Sequence, residues 1–313
     1  MGGISSVATW PEYSGKGIAG KLIKQSLTDL RNDHIMLAYL HPFNAGFYRR
    51  FDFEFAFDQI DYTIPIEKLR YPWEQRGFIQ REDVSLSELN QVYETFIQAF
   101  NGGLKRDEKW WKQRVLTDDK AEVILIKDEE ENPQAYLIYK LHNKRFEVIE
   151  MAYSSQAYKE SMYHFMMKHQ ATIQEVSLPT YENDLLSYII NDPTFVQKKH
   201  PYFMARIVHL EKFLKEYPFN YSKDSSINLF VTDEFLENNT GVYKISATEV
   251  VKINNIKNED YLAIQIGDLT ALLMGYKTVS DLKILNKIRG KEEDLKELEA
   301  MLTIQPTYLL DFF

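Results

Sequence analysis

Residues 4–20 constrain this chain more than any other stretch. They read Ile-Ser-Ser-Val-Ala-Thr-Trp-Pro-Glu-Tyr-Ser-Gly-Lys-Gly-Ile-Ala-Gly. A short β-prone run ends at Pro11, a glycine-rich turn follows, and a helix starts directly after it. A strand, a glycine loop and a helix N-terminus in that order make an anion site. The first helical N–H groups have no partner within the helix, and the helix dipole favours negative charge there. Gly15, Gly17 and Gly20 let phosphates approach the main chain. The loop lacks the Lys-Ser/Thr ending of a nucleotide-binding P-loop, and its spacing is not the dinucleotide fingerprint. Taken alone it reads equally as a pyrophosphate cradle or as a plain strand-to-helix turn.

Composition narrows the partners. The chain has 313 residues, a length for two or three domains. Hydrophobic residues make up 44%, and 20 Tyr with 19 Phe make the cores ring-rich. The net charge of −9 argues against nucleic acid and anionic membranes and fits a cationic partner such as an amine. With 0 Cys, disulfides, thiol nucleophiles and Cys-based metal sites are excluded. No metal-ligand cluster, signal peptide or long apolar run is visible, so a soluble cytoplasmic protein is expected.

After the loop, residues 17–31 show Ile18, Leu22, Ile23, Leu27 and Leu30 at helical spacing. A buried strand is expected over 34–40. Pro42 ends it, and Asn44 caps a short helix carrying Phe47, Tyr48 and Phe51. Residues 53–64 alternate as one long strand. By residue type and position alone, Tyr48 is a core residue of an aromatic helix face, and His41 is a strand-end residue.

Here the chain resembles the GNAT acyltransferases, whose co-substrate is acetyl-CoA. More narrowly it resembles the enhanced-intracellular-survival (Eis) N-acetyltransferases. The fold class implied is α/β with mixed sheets: tandem GNAT-like domains followed by a sterol-carrier-protein-2-like C-terminal domain. The expected boundaries are 1–70, 71–210 and 211–313. The family's loop reads Gln/Arg-x-x-Gly-x-Gly/Ala, and residues 14–19 match it except at Ser14, where a basic or amide side chain is usual. By resemblance, Val7, Ala8 and Thr9 run beside the pantetheine arm. Gly15, Lys16, Gly17, Ile18, Ala19 and Gly20 bind the pyrophosphate, and Phe43 and Asn44 contact the cofactor near its thiol. Tyr48 matches the general acid that protonates the departing thiolate, and His41 a position near substrate and base. The resemblance also implies that the N-terminal half of the first GNAT domain is missing, on the order of 70 residues.

A second unit follows an irregular boundary near residues 71–77. Leu86, Leu89, Val92, Phe96 and Phe100 share a helix face behind a Ser85–Glu88 capping box. Trp110 and Trp111 sit on a second helix as packing residues. Strands are expected at 121–126, 134–141 and 145–152, a helix at 156–169, and strands at 173–178 and 201–209. The order repeats the GNAT plan, but the junction at 151–158 has no glycine, so this copy is expected to hold no cofactor.

A linker helix at 212–217 leads to strands at 227–231, 240–247 and 260–266. A helix over 267–275 ends at Gly275. The charged run 291–299 reads as a solvated helix face. The tail is apolar to the end, and by resemblance the carboxylate of Phe313 enters the first domain's site as general base. The implied reaction moves acetyl from acetyl-CoA to a primary amine of aminoglycoside, polyamine or lysine type, without a metal, in a homo-oligomer. The alternatives are a lipid or sterol carrier acting through the third domain, and an inactive GNAT that only binds partners.

Overall fold

A computed structural model describes residues 1–222, 225–253, 261–303 and 305–313. The chain divides into two units, one of residues 1–57, 202–305 and 313, the other of 58–201 and 306–312. Among the described residues no helix is long and apolar enough to cross a membrane.

In the first unit, the helix after the glycine loop is Ile18–Asn32, α1. Its Ile23 and Leu27 are fully buried, while Lys21, Lys24 and Gln25 face outward. The strand expected to begin at Ile4 is instead Gly2–Gly3, paired in parallel with Leu37–Leu40. The Ile4 N–H still donates to the Tyr39 carbonyl at 2.8 Å. Then Ser6 turns to a φ of +57°, and among the described residues no strand pairs with the β-prone residues after it. The strand expected over 34–40 starts only at Leu37, because His34 takes a φ of +56° in the turn that closes α1.

The expected strand over 53–64 is broken into Glu54–Phe55 and Asp58–Pro65. Ala56 and Phe57 both donate N–H groups to the Phe203 carbonyl, at 3.1 and 3.3 Å, an irregularity that interrupts the ladder. The expected strand over 201–209 shortens to Met204–Ile207, and an unanticipated strand, Val196–Pro201, precedes it. Met204–Ile207 pairs between Leu37–Leu40 and Glu54–Phe55 in the first unit's four-stranded sheet. Asp58–Pro65 and Val196–Pro201 belong to the second unit's sheet.

Asn44 does cap the short helix Ala45–Arg49, α2: its Oδ1 accepts the Phe47 N–H at 3.0 Å. Behind α2 lies Arg206, fully buried. It donates to the Phe51 carbonyl at 2.6 Å and to Asp233 Oδ1 at 2.7 Å. Asp233 also accepts N–H groups from Phe235 and Leu236 and the amide of Asn239. The rest of this unit is a five-stranded sheet, in the order Val250–Ile253, Gly241–Ser246, Ser226–Thr232, Leu262–Gln265 and Ile288–Arg289. Val250–Ile253 was not anticipated, and Asp260 of the expected 260–266 strand lies outside the described residues. Helix Ile266–Leu273 is buried on every face and is followed by Gly275 at a φ of +84°. Helix Glu292–Met301 turns Leu295, Leu298 and Met301 inward, so the charged run is the outer face of an amphipathic helix.

The second unit is a seven-stranded sheet in the order Val196–Pro201, Asp58–Pro65, Glu175–Thr180, Arg145–Tyr153, Pro133–His142, Glu122–Lys127, Phe78–Gln80. Helix Leu86–Ile97 carries the expected capping box. Trp111 is buried against Tyr93 and Tyr136, which is packing. Trp110 donates its indole N–H to Asp311 Oδ1 at 2.6 Å. Asp311 also takes Arg106 Nε at 2.9 Å, and Arg106 grips Glu150 with both terminal nitrogens at 2.8 and 2.7 Å. All three charges are buried. Residues 306–312 are thus tied into this unit, with Asn101 bridging Thr307.

Removing one member of such a buried group strands the others. Arg106→Met should lower stability by about 3–5 kcal/mol in urea unfolding, and a loss under 1 kcal/mol would contradict the account. A second test uses Asp52, whose carboxyl burial pushes up from 3.8 to about 6. The folded state therefore holds a proton that the unfolded chain has released. This contribution is fullest below pH 4 and is lost as the pH rises through about 6. Asn tolerates the left-handed φ of +56° at this position. Asp52→Asn should remove that pH-dependent loss, seen as a flatter melting temperature between pH 4 and 7.

Candidate functional site

The glycine loop folds as a short 3-10 turn, Pro11–Tyr13, followed by two glycines in left-handed backbone. Gly15 has a φ of +78° and Gly17 a φ of +72°, and nothing lies within 4 Å of where a Cβ would stand on either. Gly17 is the N-cap of α1, no side chain caps the helix, and its first turn has no acid. The leading N–H groups of a 15-residue helix therefore face open space with the positive end of its dipole.

That space is a cleft of about 440 Å3. Val7 and Thr9 line it on the side of the chain that has left the sheet. Gly15, Gly17, Ile18, Ala19 and Gly20 line the helix end, and Phe43 lines the opposite wall. These eight sequence-predicted residues come together. Four liners were not anticipated as site residues: Tyr13, Ser14, Phe47 and Arg50. The Thr9 hydroxyl oxygen is buried and has no hydrogen-bond partner among the described residues, which is costly unless a ligand supplies one. A cradle of free N–H donors, open glycines and an orphaned hydroxyl fits a phosphate-bearing chain such as coenzyme A.

Other predicted residues stand apart from the lining. Ala8 and Lys16 are exposed, and the Lys16 ammonium lies over the Tyr13 ring at 4.8 Å. The Asn44 side chain is used in capping α2. Tyr48 is buried behind the aromatic wall, 5.5 Å from Phe43 and 5.0 Å from Phe47 between ring centroids. Burial raises its phenol above 10.0. His41 packs at the strand end edge-on against Tyr202 and tilted against Phe203, at 5.6 and 5.4 Å between ring centroids. The Phe313 ring meets the same Phe203 at 4.9 Å and abuts Gly3, where any Cβ would stand 2.5 Å from it. Phe203 thus joins two of the predicted residues, a link that needed tertiary contacts to appear.

A larger cleft, of about 570 Å3, lies in the second unit, but its charged residues are largely committed to each other. Lys140 pairs with Asp118 at 2.9 Å and approaches Glu147 at 3.7 Å. Among the described residues, no glycine and no helix N-terminus lines it. A third, of about 350 Å3 near Asp268 and Lys287, is polar-rimmed and small for a sterol. Chemistry and not size therefore selects the first.

Comparison with known proteins defines the class. Residues 1–56 match an acetyltransferase (GNAT) domain, residues 102–207 match a second, and residues 210–310 match a sterol carrier protein domain. With its mixed sheets, the chain thus carries GNAT acetyltransferase domains followed by a sterol carrier protein domain.

No curated protein matches the sequence. Among solved structures it is similar to a conserved protein of unknown function from Enterococcus faecalis V583, described as a probable N-acyltransferase. That likeness has a TM-score of 0.88 and 27% identity over 99% of this chain and 81% of that one. A GCN5-related N-acetyltransferase from Anabaena variabilis ATCC 29413 follows at a TM-score of 0.86 and 23% identity, over 99% and 81%. Eis1 from Mycobacterium abscessus has a TM-score of 0.84 at 18% identity, over 99% and 82%. The last two likenesses show the fold alone.

The left-handed backbone at Gly17 gives a direct check. Gly17→Ala adds no clash but forces an L-residue into that region, which costs roughly 1–2 kcal/mol. Thermal melts should show that loss, whereas Ala19→Ser, one turn position on, should stay within about 0.5 kcal/mol.

Proposed function

We propose that this chain is an N-acetyltransferase that moves acetyl from acetyl-CoA to a primary amine. The observation that carries the reading is the cleft where uncapped α1 donors, two left-handed glycines and the orphaned Thr9 hydroxyl converge. Bound there, acetyl-CoA supplies an activated thioester. The N–H groups at Gly15 to Gly20 hold its phosphates, and Val7 and Thr9 guide the pantetheine arm. A main-chain N–H near Val7 donates to the thioester oxygen as charge builds on it.

Tyr48 keeps its proton at neutral pH and presents it to the departing sulfur. With a phenol above 10 and a thiol near 8.5, full transfer is uphill by at least about 2 kcal/mol. Tyr48 therefore acts best as a hydrogen-bond donor that yields its proton as the sulfur gains charge. The amine arrives as an ammonium of pKa near 10. The Phe313 carboxylate attracts it and takes its proton, through water or His41. The net charge of −9 and the rings of Tyr202, Phe203 and Phe313 suit a cation. Aminoglycosides, polyamines and lysine side chains share that chemistry.

Calorimetry with acetyl-CoA tests the reading first: no binding at millimolar concentration sinks it. Tyr48→Phe, and separately one residue added after Phe313, should each lower turnover by about 100-fold or more. Unchanged rates would reject the two roles.

A further inference from the structure

The end of α2 carries two neighbouring arginines with opposite fates. Arg49 is committed: its Nε and Nη2 reach Glu54 at 2.9 and 2.7 Å. Arg50 makes no ion pair among the described residues, although the chain holds 46 acids against 37 Lys and Arg. Its guanidinium lies over the Phe47 ring at 4.8 Å, and Nε reaches the Phe47 carbonyl at 3.5 Å. Phe47 is itself fixed by the Asn44 cap. Arg50 and Phe47 both line the cleft, as does Ser14. Ser14 puts a short neutral side chain on the loop, so the loop position contributes no charge.

A guanidinium over a ring, without an ion pair among the described residues and lining the same cleft as uncapped helix donors, is arranged for an anion. We propose that Arg50 is the cation that holds the phosphates of the bound coenzyme, taking the part that Ser14 leaves empty on the loop. This inference rests on the acetyl-CoA reading. A planar, five-donor head stays charged at any physiological pH and grips a phosphate through two donors. The residue is a binding residue and touches no reacting atom, so it governs cofactor affinity.

The test is calorimetry at low salt with coenzyme A, 3′-dephospho-coenzyme A and pantetheine, on wild type, Arg50→Gln, Arg49→Gln and the double variant Ser14→Arg with Arg50→Gln. Arg50→Gln should weaken coenzyme A by about 10-fold or more, the loss of one charge-assisted contact, and leave pantetheine unchanged. Arg49→Gln removes the same net charge and should stay within about 2-fold. Restored affinity in the double variant supports the exchange of roles. If 3′-dephospho-coenzyme A loses as much as coenzyme A, Arg50 grips the pyrophosphate; if it loses little, Arg50 grips the 3′-phosphate. Wild type that binds coenzyme A, with Arg50→Gln binding it equally well, overturns the assignment and spares the acetyl-CoA reading. Wild type that binds none of the three fails that reading itself.

Discussion

One buried guanidinium conditions the first unit. Arg206 has no exposed surface, and a charge in that position is tolerable only when every donor is matched. It meets the Phe51 carbonyl just past α2 and the Asp233 carboxylate on the loop after Ser226–Thr232. Asp233 then fixes Asn239, whose Oδ1 accepts from Arg31 near the end of α1. Three segments distant in sequence are thereby pinned to the strand that carries Arg206. The helix that holds Tyr48 and is followed by Arg50 inherits its position from this network. The aromatic chain Phe43, Phe47, Phe51 and Phe235 fills the space around it.

The cleft follows from an opposite principle: donors left without partners. Ser6 turns the chain away from Leu37–Leu40, and the left-handed glycines carry it into α1 without a cap. Capping boxes at Ser85 and Thr278 satisfy such groups at two other helix starts. What sets the α1 end apart is the cleft it opens onto, with two left-handed glycines and the orphaned Thr9 hydroxyl. The same contrast separates Arg49 from Arg50.

Much of the site was legible because its signals are local. Glycine spacing, a Pro and a following amphipathic run specify a loop-to-helix turn whatever surrounds it. Asn44 before Ala45 is a cap by residue type and position. What was missed needed partners. Nothing in Arg49-Arg50 says which one finds Glu54, and nothing near Phe203 says that His41 and Phe313 both reach it. The strand boundaries failed for a related reason. Residues 53–64 alternate without a break in the sequence, and the strand is interrupted where Ala56 and Phe57 share the Phe203 carbonyl.

The sequence by itself determined the elements and the chemistry on offer: an anion-ready helix end, a Tyr on an aromatic face, a capped helix, a glycine-free second copy, and an acidic surface suited to cations. These depend on backbone preference and residue type within a few positions. The tertiary structure decided which strand joins which sheet, which charges are consumed in buried pairs and which are left to face a cleft. Those outcomes depend on groups brought together from far apart in the chain, where burial removes water and every polar atom must find a partner or a ligand.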